Sequence, residues 1–162
     1  PKRIAVLGLS AGGHLAALAA TTAGLKEFAG DEYPNESDDV VCAVNYFGPA
    51  DLTLYCDTPG IELAFLKPLF GGVAPQCTPQ FKKASPVEHV TKDAPPFLHF
   101  HGTADFVVPI IHTERLHAKL KEEGVPSEFV RVKGKGHGWT GDTSTQTLAT
   151  TIQFLDKHLK DH

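Results

Sequence analysis

Sulfur-containing residues are scarce in this sequence. Among its 162 residues there is no methionine, and the three cysteines are Cys42, Cys56 and Cys77. They are too few and too scattered for a disulfide framework, and none belongs to a Cys-x-x-Cys pair typical of zinc or redox sites. Cys42 lies in an apolar run and is interpreted as a core residue. Cys56 and Cys77 flank one irregular segment, either as free thiols or as a single bridge.

Long apolar runs and an excess of basic residues are also missing. No run approaches the ~20 residues that a membrane-spanning helix needs, and the apolar stretch after Arg3 is too short for the core of a signal peptide. Lys and Arg number 15 against 19 Asp and Glu, which gives a net charge of -4. We therefore expect no membrane segment and no nucleic-acid partner.

The residues that are present suffice for one ordinary core, so residues 1–162 are expected to form one domain. Four short apolar runs, at residues 3–8, 40–47, 97–101 and 128–132, are typical of strands buried in a parallel sheet. Helical patterns alternate with these strands along the chain. The alternation predicts an α/β fold, a three-layer sandwich with a parallel sheet of about four strands.

Leucine spacing predicts the buried faces of the first and last helices. The expected face of the first helix comprises Leu15, Leu18, Thr22 and Leu25. The expected face of the last helix comprises Leu148, Ile152, Leu155 and Leu159. Further helices are predicted from Pro79 and from near Pro109, the latter ending at Gly124. The segment 52–83 is irregular and rich in large apolar side chains, which favours either a cap inserted over a ligand pocket or a long packed loop.

Polar residues follow the strands at the carboxyl edge of the predicted sheet, where ligands bind in open α/β folds. The first strand runs into Gly8-Leu9-Ser10-Ala11-Gly12 and then directly into a helix. This is the strand-turn-helix context of a Gly-x-Ser-x-Gly nucleophile elbow, in which glycines permit a tight turn and a helix N-terminus stabilises negative charge. The pattern predicts Ser10 as a nucleophile.

Two further residues at this edge complete a catalytic set. Asp105 follows the third strand in a His-Gly-Thr-Ala-Asp turn, and His137 lies in a glycine-rich loop after the fourth strand. A serine hydroxyl is a weak nucleophile until a histidine takes its proton, and a carboxylate fixes the tautomer of that histidine. The chain order Ser10, Asp105, His137 is the order found in α/β hydrolases.

Four segments together resemble the C-terminal part of an α/β-hydrolase esterase: GLSAGGHLA at 8–16, ASPV at 84–87, PPFLHFHG at 95–102 with Asp105, and GHG at 136–138. Within that superfamily they are most similar to carbohydrate-type acyl esterases and hormone-sensitive-lipase-like carboxylesterases. The resemblance implies a serine hydrolase that cleaves small or carbohydrate-linked carboxylic esters without a metal or other cofactor. It also implies an oxyanion-hole N–H on Ala11, and we expect Gly12 beside the substrate. Trp139 either packs to fix the loop of His137 or contacts the substrate.

The sequence departs from this family at its start. A full member has about a hundred or more residues before the elbow, and they supply further strands and a second oxyanion donor. Because Arg3 to Gly8 would be left as a bare apolar edge strand, we expect either a second copy of the chain or a missing N-terminal half to cover it. The missing methionine also favours a piece of a longer protein.

Several residues allow alternative interpretations. Asp51, at the end of the second strand, is the second candidate for the acid. His99 and His101 have the spacing of two metal ligands, but without an obvious third ligand a structural role is favoured. His14 is interpreted as a packing or hydrogen-bonding residue, and His112 as a helix-surface residue.

Two other functions stay open. One is a catalytically weak hydrolase fragment that acts as a binding or assembly module. The other is a nucleotide-binding module, because the turn after the first strand also resembles the start of a Rossmann unit. The serine at the position of the middle glycine argues against nucleotide binding, since that glycine allows close approach of a pyrophosphate.

Overall fold

The computed structural model describes residues 3–33, 35–55 and 79–160. Its four strands are β1 (Ala5–Leu9), β2 (Cys42–Tyr46), β3 (Phe97–Gly102) and β4 (Ser127–Val132). They form one parallel sheet in the order β1-β2-β3-β4. The predicted strands are confirmed, with ends that differ by at most two residues. Most of the expected cap segment, residues 56–78, lies outside the described residues, together with Cys56 and Cys77.

Within the described ranges, four helices connect and follow the strands. They are α1 (Ala11–Thr22), α2 (Pro79–Lys83), α3 (Ile111–Glu122) and α4 (Asp142–Lys160), with 3₁₀ turns at Leu52–Tyr55 and Pro86–His89. The chain leaves α3 through Gly124, which has the positive φ of 77° that glycine adopts without strain. None of the described helices is both long and apolar enough to cross a membrane.

The sheet has a helical layer on each face, so the three-layer α/β sandwich is confirmed. On one face, α1 and α3 pack through Ala17, Ala20, Leu116 and Leu120 against Phe97. On the other face, Phe154 of α4 packs among side chains of β2 and β3. Because all strands are parallel, their carboxyl ends meet along one edge, as do the turns that follow them.

The faces predicted for α1 and α4 from leucine spacing are only partly buried: Thr22 is buried and Leu155 packs against the core beside Phe154, but the other leucines do not follow. The residues of α1 that face the sheet include Ala16, Ala17 and Ala20, whereas Leu15 is 63% exposed and Leu25 lies beyond the helix end. Small side chains let α1 approach the sheet closely. Residues Thr147, Thr151 and Phe154 form the buried face of α4, while Leu148 and Ile152 are half exposed.

Exposed leucines of β1 and α4 form an apolar surface beside the free edge of β1. Leu7 and Leu9 of β1 are 47% and 54% exposed, and no described strand pairs with the free edge of β1. Together with Leu148 and Trp139 they line a groove of about 240 Å³, called here the Leu7–Leu148 groove. This groove lies on the face of the sheet that α4 covers.

Candidate active site

Ser10 occupies a sharp turn between β1 and α1. Its backbone has φ 53° and ψ -121°, a conformation that is strained for a residue with a side chain. Its N–H donates to the Tyr46 carbonyl, 2.9 Å away, which attaches the turn to β2. A Cβ on Gly8 would overlap the carbonyl of Gly12, so only glycine allows β1 and α1 to meet this closely. The turn has the form of a nucleophile elbow and holds Ser10 at the sheet edge.

The loop after β4 lies directly over the end of β3. A Cβ on Gly102 would overlap the carbonyls of Lys135 and Gly136, so the missing side chain at Gly102 lets the loop come this near. The N–H of Ala104 donates to the Lys135 carbonyl at 2.9 Å and fixes the loop in place. As a result, Nε2 of His137 lies 2.7 Å from Oγ of Ser10.

Asp105 is the partner of His137 on the other side of the ring. Its Oδ2 lies 2.8 Å from Nδ1 of His137, while its Oδ1 accepts the N–H groups of Val107 and Val108 at 2.9 Å each. A carboxylate only accepts, so Nδ1 carries the ring proton and Nε2 is free to accept from the Ser10 hydroxyl. The structure thus brings Ser10, His137 and Asp105 into one hydrogen-bonded chain.

Ala11 and Gly12 form the exposed first turn of α1, immediately after Ser10. The N–H groups of a first helical turn have no carbonyl partner within their own helix and carry partial positive charge. They are therefore available to an oxygen atom bound beside Ser10.

The ring of Phe47 was not identified from the sequence, yet it contacts His137. Its centroid lies 4.8 Å from the imidazole and 5.2 Å from Trp139, and its own backbone has a positive φ of 42°. The Trp139 indole N–H donates to Thr147, and its ring lines the Leu7–Leu148 groove. A signal was available: Phe47 ends the second predicted strand, and the carboxyl ends of parallel strands meet at one edge of the sheet.

Asp51, the alternative acid, is engaged elsewhere. Its Oδ2 accepts from Arg115 at 2.7 Å, and its Oδ1 accepts from Thr53. Burial alone would raise the pKa of Asp51, but the hydrogen bonds from Thr53 and Arg115 outweigh burial and lower it. Its N–H approaches Nδ1 of His112, which is fully buried, so the helix-surface prediction for His112 is wrong.

The histidines with metal-ligand spacing do not come together as a metal centre. Both ring nitrogens of His101 are occupied by hydrogen bonds to Thr113 and to the Val108 carbonyl. Among the described residues, no group of three or more His, Cys, Asp or Glu side chains is arranged to hold a metal ion. The hydrogen-bonding role predicted for His14 is confirmed, since its Nδ1 lies 2.8 Å from the Pro49 carbonyl.

Several known proteins with similar sequences and structures are esterases. The chain is 38% identical over 146 residues to Esterase LipC of Mycobacterium tuberculosis, covering 84% of this chain and 34% of that protein. It superposes on a truncated form of a carbohydrate esterase from gut microbiota with a TM-score of 0.86 at 32% identity, covering 99% of this chain and 61% of the other. Esterase 2 of Thermogutta terrifontis, phosphorylated by paraoxon, gives a TM-score of 0.71 at 26% identity, covering 95% and 53%.

The chain thus spans about a third of the length of the curated relatives it matches. The sequence profile described as BD-FAE matches residues 1–120, which include Ser10 and Asp105. These matches confirm the resemblance that the four motif segments indicated. The chain belongs to the BD-FAE family and has the α/β-hydrolase fold of its esterase relatives.

Proposed function

We propose that the protein is a serine hydrolase that cleaves carboxylic esters through an acyl-enzyme. The observation that carries this proposal is the chain of short contacts from Ser10 Oγ to His137 Nε2 and from His137 Nδ1 to Asp105 Oδ2. The three residues lie on turns after three different strands of one sheet edge. Such a chain is the arrangement that turns a serine hydroxyl into a nucleophile.

In the first half of the reaction, Oγ of Ser10 attacks the ester carbonyl carbon while Nε2 of His137 takes the hydroxyl proton. The tetrahedral intermediate collapses, the bond to the alcohol oxygen breaks, and His137 gives its proton to that oxygen. Water then attacks the acyl-enzyme with His137 again as base, and the acid is released from Ser10. Asp105 stabilises the imidazolium that forms in each half.

The developing oxyanion needs donors that point at it. We propose the N–H of Ala11 as one donor, supported by the N-terminal dipole of α1, with Gly12 next to it. A second donor has no identified source in the described residues. Because losing one donor costs other serine hydrolases about 2.7 to 4 kcal/mol, the activity of the 162-residue chain depends strongly on supplying it.

The Leu7–Leu148 groove supports small acyl or carbohydrate-linked esters as substrates. Leu9 precedes the nucleophile and Phe47 contacts the base, so the groove begins beside the reacting atoms. We propose that Trp139 forms a wall of the substrate site. The names of the relatives agree with this substrate class, one being a carbohydrate esterase and another a probable carboxylic ester hydrolase. The organophosphate reaction of the Thermogutta esterase agrees with a nucleophilic serine.

Ester turnover is the experiment that tests this proposal. We expect the protein to release p-nitrophenol from p-nitrophenyl acetate, and we expect Ser10→Ala to reduce the rate to the uncatalysed background. The matched control is Ser37→Ala, which removes an exposed serine in the loop before β2, outside the groove, and should leave the rate unchanged. A wild type that is folded but inactive, or equal rates for wild type and Ser10→Ala, would refute the proposal.

We further propose that the exposed apolar side of β1 is covered in the complete protein, by a second copy of the chain or by residues outside the 162. The support is the half-exposed row Leu7, Leu148 and Ile152 beside an unpaired strand edge. A cover over this row leaves the end of the groove at Phe47 and Trp139, next to His137, for the substrate. Sedimentation should show a dimer or larger species for the 162-residue chain alone. A stable monomer with this row in water would contradict the proposal.

A further inference from the structure

Two histidines on β3 share the same side of the sheet but have opposite environments. His99 and His101 are both fully buried, and two positions of separation place them on one face of the strand. Within the part of the chain that the structure describes, neither ring nitrogen of His99 has a hydrogen-bond partner. Its ring stacks on Phe97 instead, and burial lowers its pKa to about 3. His99 thus behaves as an aromatic core residue.

Both nitrogens of His101, by contrast, are hydrogen-bonded. Its Nε2 lies 2.8 Å from the Val108 carbonyl, and its Nδ1 lies 2.7 Å from Oγ1 of Thr113 on α3. A carbonyl only accepts, so Nε2 carries the proton and Nδ1 accepts from the Thr113 hydroxyl. Burial lowers the pKa of His101, which favours the neutral ring.

The bond to Val108 restrains the turn that holds the Asp105 carboxylate. Both backbone polar groups of Val108 are fixed: its carbonyl accepts from His101, and its N–H donates to Oδ1 of Asp105 at 2.9 Å. The same Nε2–H of His101 lies 3.4 Å from Oδ2, the oxygen that also accepts from His137. His101 therefore contacts the acid directly and, through Val108, fixes a second point of the turn.

We infer that His101 is a positioning residue for the catalytic acid, with Thr113 orienting its ring. This inference rests on the proposed function of Ser10, His137 and Asp105. Without the Nε2–H, the Val108 carbonyl is left buried without its donor and Oδ2 loses a neighbouring positive dipole. The carboxylate keeps its bonds from the N–H groups of Val107 and Val108 but sits on a turn that is less firmly fixed, so the imidazole of His137 is oriented less precisely.

Three variants test the inference. His101→Phe keeps an aromatic ring but removes both nitrogens, His101→Gln retains a side-chain N–H, and His99→Phe is the matched control two residues away on the same face. We expect His101→Phe to lower kcat for p-nitrophenyl acetate about 10- to 100-fold with little change in KM, as small displacements of catalytic groups do. His101→Gln should recover part of this loss, and His99→Phe should stay within about twofold of wild type.

A spectroscopic signature separates positioning from general damage to the core. The Nδ1 proton of His137, held between ring and carboxylate, should give a far-downfield ¹H resonance in wild type and His99→Phe, and this resonance should be lost or broadened in His101→Phe. If His101→Phe fails to fold, Thr113→Val replaces it in the test, since this variant removes only the hydroxyl that orients the His101 ring. It should lower kcat about three- to tenfold, by the loss of one hydrogen bond.

The inference is overturned if His101→Phe, or Thr113→Val in its place, keeps both kcat and the resonance. It is also overturned if His99→Phe lowers kcat as much as His101→Phe, because replacement of any buried histidine on β3 would then explain the effect. A wild type without esterase activity contradicts the proposed function instead. In that case the resonance still decides whether His101 orients the Asp105–His137 pair.

Discussion

Replacing His137 by alanine is expected to lower kcat for ester hydrolysis by about 10⁴-fold or more, as loss of the base does in other serine hydrolases. Without Nε2 at 2.7 Å, the hydroxyl of Ser10 keeps its proton and remains a weak nucleophile. The leaving alcohol also loses its proton donor, so both halves of the reaction slow. Release of p-nitrophenol under substrate saturation measures the effect.

The fold should survive this substitution. His137 lies on a loop with its side chain 21% exposed, and the loop is held by backbone contacts to Ala104 that alanine at position 137 leaves intact. His89→Ala is the control, since that ring contacts the Lys83 carbonyl and Phe28 instead. If His137→Ala retained a tenth or more of the wild-type kcat, His137 would not be the base.

Asp105→Asn is expected to lower kcat by about 10⁴-fold, the cost of a wrong histidine tautomer in comparable enzymes. The amide oxygen of asparagine takes the place of Oδ1, which accepts the N–H groups of Val107 and Val108. The amide NH₂ then faces Nδ1 of His137 and forces that nitrogen to accept. The proton moves to Nε2, which can no longer take the proton of Ser10.

The matched variant Asp51→Asn should stay within about threefold of wild type, because a partly exposed ion pair contributes little. It loses charge pairing with Arg115, whose side chain is 48% exposed, and keeps an oxygen that accepts from Thr53. The comparison uses the same assay and the thermal unfolding midpoint of each variant. The reverse order of the two rates would move the acid to Asp51.

Residues at strand ends were the most predictable part of the site. In a parallel sheet, a tight glycine turn after a buried strand must lie at the carboxyl edge, so Ser10 and Asp105 could be placed there from sequence alone. The structure brings both to His137 as expected. The local sequence pattern and the parallel topology were sufficient to place these residues, because neither depends on which side of a helix packs on the sheet.

Burial of individual helix faces was not predictable in the same way. Leucine spacing shows that a helix has an apolar stripe, but it does not show which side of the helix packs on the sheet. In α1 the alanines pack on the sheet, whereas Leu15 points to solvent. The contrast between His99 and His101 likewise depends on which residue of α3 lies opposite. Thr113 offers a hydroxyl to His101, whereas His99 meets the ring of His117.

The central claim is that Ser10 is an activated nucleophile, and labelling with a fluorophosphonate tests it most directly. Two other serines serve as internal controls: Ser85 is buried with its hydroxyl bonded to the Phe81 carbonyl, and Ser144 is exposed on α4. Peptide mapping by mass spectrometry should place the adduct on Ser10 alone, and His137→Ala should remove it. An adduct on Ser85 or Ser144, or no adduct in a folded sample, would contradict the claim.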